Sequence, residues 1–202
     1  MKKSIVAVAM TAMMLAGTSW ASVETGAAAP DFTLQDAAGK EHTLSNHRGQ
    51  YVVLEWINYG CPFVVKFYSE GHMQALQEEW GEKGVIWYAI CSSAPGEQGH
   101  YPADQLAEVN ERRNFSGHAY LLDEDGTVGR KYGARTTPHM FVIDPEGTLI
   151  YQGAIDSVRS TRASDIEGAT NFVVEALKAA KAGNPVDPHT TVPYGCSVKY
   201  AN

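Results

Sequence analysis

Cysteine is scarce in this chain: Cys61, Cys91 and Cys196 are the only three in 202 residues. They stand far apart, so no local Cys pair exists, and no Cys or His pair has the spacing of a structural zinc site. An odd number leaves at least one thiol free or only transiently paired. Long apolar runs are missing too. The first, Ile5 to Gly17, falls short of the about 20 residues that span a bilayer, and no later stretch approaches that length. Basic residues are outnumbered, 16 against 23 acidic, for a net charge of −7. That balance argues against a nucleic-acid partner, which requires a basic face.

What the chain does contain starts with an export pattern. Lys2 and Lys3 precede the short apolar run, and Ser19-Trp20-Ala21 offers small residues where a signal peptidase reads. Residues 1–21 are therefore expected to be a cleaved signal, leaving no stable membrane anchor and a periplasmic or secreted protein. In that compartment disulfides persist. The remainder, about 180 residues, suits one domain with a substantial core. Residues 22–28 read as a flexible lead, 29–182 as the domain and 183–202 as an irregular tail carrying Cys196.

Hydrophobic patterning sets the expected order. Phe32 to Leu44 reads as a short hairpin. Tyr51 to Ile57 is nearly all apolar, which suits a strand buried on both faces. A helix is expected from Pro62, bent at Gly71 and ended by Gly81 and Gly84. Further strands are expected at Val85–Cys91 and Ala119–Leu122, and helices at Ala103–Arg113 and Thr127–Tyr132. A hairpin over Met140–Tyr151 turns at Pro145-Glu146-Gly147, and a last helix runs from Ile166 to Ala182. The class is α/β, one sheet with helices on both faces.

Cys61 stands where the first long strand gives way to a helix. There, free backbone N–H groups and the helix dipole favour the thiolate, the nucleophilic form. Gly60 permits a tight turn and close approach beside it. Glu55 is an acid inside an apolar strand. Burial would raise its pKa toward neutrality; the alternative is a carboxylate paired with Lys66 or reaching solvent.

The stretch from Val53 to Phe63 resembles the active-site entry of thioredoxin-like proteins, and Thr136-Thr137-Pro138-His139 resembles their cis-proline signature. Ala29-Pro30-Asp31-Phe32-Thr33-Leu34 is similar to the start of the redoxin and alkyl-hydroperoxide-reductase group. The loop Ser92–Gly99 and Gly195-Cys196-Ser197-Val198-Lys199-Tyr200 resemble a peroxiredoxin-like subgroup. The resemblance implies a thioredoxin-like fold with a mixed central sheet. It implies a thiol-dependent oxidoreductase with Cys61 as nucleophile toward a peroxide or a protein disulfide. Glu55 would move protons and Asn58 would donate to a bound oxygen. Gly60, Thr137, Pro138 and His139 would line the substrate site. No metal or other cofactor is implied; a thioredoxin-like thiol reductant is the implied partner. The chain departs from thioredoxins at Val64, where their second cysteine stands. It departs from peroxiredoxins at Asn58, which replaces a Thr, and at Leu54, which replaces a Pro. Cys196 is the favoured resolving thiol and Cys91 the alternative. Arg135, Arg159 and Arg162 are unassigned candidates to stabilise a thiolate. A copper- or partner-binding module on the same fold is the non-enzymatic alternative.

Overall fold

The computed structural model describes residues 22–201; the expected signal at 1–21 lies outside them. Seven strands form one mixed sheet in the order β2-β1-β5-β4-β3-β7-β8. These are β1 (Thr33–Asp36), β2 (Glu41–Thr43), β3 (Val52–Trp56), β4 (Ile86–Cys91), β5 (Ala119–Leu122), β7 (His139–Ile143) and β8 (Leu149–Gly153). β3, β4 and β5 run parallel, while β7 lies antiparallel to β3. All five β3 residues are buried, as its apolar run demands of a strand covered on both sides.

Alternation along β3 sends Val53 and Ile57 to one core and Val52, Leu54 and Trp56 to the other. The first core is roofed by α1 (Pro62–Tyr68), α2 (His72–Glu82), α3 (Ala103–Arg112) and α5 (Phe172–Lys181). The second is closed by α4 (Thr127–Tyr132) and by Ala29, Phe32 and Leu44. Among the described residues no helix is long and apolar enough to cross a membrane.

Several local expectations change. The helix after Cys61 is two helices: α1 ends at its C-cap Ser69, and Gly71 at φ +80° caps the start of α2. α5 begins at Phe172, not Ile166, because the Asn171 side chain accepts from Val174 N–H at 3.0 Å and caps it there. The 22–28 segment is bonded to the sheet: Gly26 N–H donates to Leu149 O at 2.7 Å and Leu149 N–H to Ala27 O at 3.0 Å. The tail is not irregular throughout. Cys196–Ser197 form β9, which pairs antiparallel with β6 (Thr136–Thr137) as a separate two-stranded sheet.

Candidate active site

β3 ends at Trp56, and residues 57–61 carry the chain to α1. Cys61 is the N-cap of that helix, with Pro62 at its first position, where a missing N–H costs nothing. Its N–H donates to Asn58 O, and its own carbonyl accepts from Val64 and Val65. The sulfur is 0% exposed and donates to Thr137 O at 3.0 Å. The Thr137–Pro138 peptide is cis.

β9 lays Cys196 directly opposite Thr137, the residue whose carbonyl accepts from the Cys61 thiol. Burial works to raise the Cys61 pKa, but the neighbourhood of Cys196, Thr137 and the start of α1 favours its thiolate. The net result lies below the ordinary thiol range. Cys196 behaves oppositely: burial, donation to Cys61 and the proximity of its charge push its thiol up to about 11. Cys91 is buried, donates to Gly99 O at 3.4 Å and is pushed up by desolvation. It therefore rests as a neutral thiol, while Cys61 and Cys196 both adjoin Thr137.

Glu55 is fully buried on the sheet face beneath α1. It accepts from Trp87 Nε1 at 2.9 Å, from Tyr68 Oη at 3.1 Å and from Gln77 Nε2 at 3.3 Å. Burial outweighs these donors and raises its pKa to about 7. It has no ion pair with Lys66. That ammonium, buried in α1, instead meets Asp156 at 2.9 Å, and Tyr194 of the tail donates to the same carboxylate.

Three expected site residues have other work. Asn58 gives its amide N–H to Gln98 O at 3.0 Å and accepts Gly60 N–H at 2.8 Å. It clamps the 92–102 loop over the end of β3. What closes on Gly60 is that same loop: a Cβ there would lie 3.0 Å from Gln98 Cγ. His139 occupies the opposite face of β7, its ring 4.4 Å from Phe141. Burial and the Arg135 charge lower its pKa to about 3, so it is neutral and turned from the thiols. The arginines do not converge on Cys61 either: Arg135 and Arg159 are exposed and Arg162 pairs with Asp165.

Tyr194 and Asp156 are the residues that sequence reasoning missed. A lone Tyr in a Pro- and Gly-containing tail gives no periodic signal. The Asp, lying in an irregular stretch, gives none of its burial. Among the described residues no three His, Cys, Asp or Glu side chains converge on a point that could hold a metal ion.

A buried thiol at a helix start, facing a cis-proline turn on a mixed seven-stranded sheet, is the arrangement of a thiol-based oxidoreductase of thioredoxin-like fold. The AhpC/TSA family model matches residues 25–152, and the chain belongs to that family. Cys61 lies inside this match; Cys196 and the tail lie beyond it. The thiol-disulfide oxidoreductase ResA of Geobacillus thermodenitrificans is 28% identical over 132 residues, 65% of this chain and 70% of that protein. An uncharacterized conserved protein from Geobacillus kaustophilus superposes with a TM-score of 0.77 at 26% identity, over 88% of this chain and 93% of that one. A hypothetical protein from Sinorhizobium meliloti shares the fold at a TM-score of 0.74 and 24% identity, over 90% of this chain and 97% of its own.

Proposed function

We propose that this protein is an exported thiol oxidoreductase that cycles between a Cys61/Cys196 dithiol and a Cys61–Cys196 disulfide. The observation that carries the reading is the β6–β9 pairing, which sets Cys196 opposite Thr137 while the Thr137 carbonyl accepts from the Cys61 thiol at 3.0 Å. Cys61 is then the thiolate nucleophile, and Cys196 holds its proton until Cys61 has been oxidised. A peroxide would leave a sulfenic acid on Cys61, and a disulfide a mixed disulfide. Either is displaced by Cys196, and an external thiol reductant restores the pair. Glu55, half-ionised near neutral pH, is the proposed proton acceptor beneath α1.

Disulfide exchange is favoured as one branch by the relatives named thiol-disulfide oxidoreductases. Peptide mapping by mass spectrometry before and after treatment with peroxide or oxidised glutathione tests the cycle. A new Cys61–Cys196 crosslink is expected, with Cys91 unmodified. A Cys61→Ser variant is expected to consume neither oxidant above background. Consumption at the wild-type rate would remove Cys61 from the chemistry.

A further inference from the structure

β6 is two residues long and edges the site, with the Thr137 carbonyl on the Cys61 sulfur. An open strand edge beside a reactive thiol is a docking place for an extended polypeptide, because main-chain pairing supplies affinity without sequence demands. Here that edge is taken. β9 pairs with it in antiparallel register, Thr136 with Ser197 and Thr137 with Cys196. Gly195, at φ +140°, lies so close that a Cβ would be 2.0 Å from Thr137 O.

The tail is fastened on both sides of Cys196. Upstream, the Tyr194 hydroxyl donates to Asp156, which is held by Lys66 of α1, and its ring packs 5.7 Å from Phe63. Downstream, Val198 N–H donates to Arg135 O at 3.1 Å and Ala94 N–H to Lys199 O at 2.8 Å. Tyr200 donates to Ala134 O at 2.8 Å under the Arg130 guanidinium. Gly126 and Gly129 lack the Cβ atoms that would strike its ring.

We propose that residues 194–200 are a built-in occupant of the β6 edge, restricting Cys61 to low-molecular-weight oxidants and barring extended polypeptide disulfides. This rests on the reading of Cys61 as the nucleophile. An extended polypeptide must displace the β9 strand and its fastenings before it can pair beside Cys61. A hydroperoxide or small disulfide has no strand to pair and makes no demand on the β6 edge.

With a hydroperoxide, the Cys61 S–O bond forms as the O–O bond breaks, and the alcohol or water leaves with a proton. Cys196 then forms the S–S bond as the S–O bond breaks, and water leaves with its proton. With a small disulfide, two thiols leave in turn. Either way two electrons pass from the cysteine pair to the oxidant. Recovery by a dithiol reductant uses the outer sulfur. Attack on Cys196, partly exposed where Cys61 is buried, expels Cys61 as the leaving thiolate.

The test compares rates of Cys61 oxidation in the reduced full chain by hydrogen peroxide, oxidised glutathione and an extended peptide bearing a mixed disulfide. Gly195→Ala places a methyl against Thr137 O and loosens the strand. Tyr194→Phe keeps the ring on Phe63 but drops the bond to Asp156, and serves if the first variant folds poorly. Both are expected to raise the peptide rate relative to the two small oxidants, Tyr194→Phe by roughly tenfold, the worth of one charged hydrogen bond. Equal acceleration toward all three oxidants, or an unchanged peptide rate, overturns the restriction while leaving the cycle intact. A Cys61→Ser chain oxidised as fast as wild type by the small oxidants overturns both.

Discussion

Glu55 shows how one buried group ties chemistry to stability. Its carboxyl titrates near 7 in the folded chain against an ordinary value of 4.5. Between those values the native state keeps a proton that the unfolded chain releases. The stabilisation is therefore complete below about pH 4.5 and is lost as pH rises through about 7. The gap corresponds to roughly 3 kcal/mol for a fully buried group. Urea unfolding of wild type and Glu55→Gln at pH 5 and pH 8 checks this: the wild type is expected to lose more stability than the variant over that range. A parallel loss in both would show that Glu55 is not the titrating group. The sequence marks Glu55 as anomalous because an acid interrupts an apolar strand. It could not choose between a raised pKa and an ion pair, since the choice depends on where Lys66 points. Lys66 points to Asp156, 90 residues away in the chain.

At the scale of elements, Gly71 separates what the spacing of Phe63, Phe67, Leu76 and Trp80 makes look continuous. It holds φ +80° and has open space around its missing Cβ. A Gly71→Ala substitution therefore meets backbone strain without a clash. It is expected to cost about 1 kcal/mol, read as a lower urea midpoint at unchanged slope. β3 and α1 were legible because a buried parallel strand and a Pro-started helix have strong local signatures. The start of α5 was not, because the apolar residues upstream of Asn171 extend the pattern while the Asn171 cap stops the helix. β6 and β9 were not legible either. Two-residue strands have no periodicity, and each exists only through the other.

Across the whole molecule, the Lys66–Asp156 pair joins α1, the segment after β8 and the tail through Tyr194. Both side chains are almost wholly buried. Lys66→Met would leave the carboxylate without its cation, and a loss of roughly 3–5 kcal/mol is expected. Lys178→Ala, breaking an exposed pair with Glu175, is expected to cost less than about 1 kcal/mol. Chemical denaturation of the two variants side by side checks the contrast; similar small losses would mean that the buried pair contributes no more than a surface one.

The amino-acid sequence by itself determined the α/β class, the strand-to-helix junction at Cys61 and the proline turn opposite, because each rests on local patterning or on a short motif. Only the tertiary structure decided that β9 sets Cys196 opposite Thr137, that Asn58 bonds to Gln98 and that His139 packs on Phe141. The first two outcomes depend on contacts between segments tens of residues apart, and all three on burial, register and hydrogen bonding that are settled jointly by the packed chain and leave no periodic trace along it.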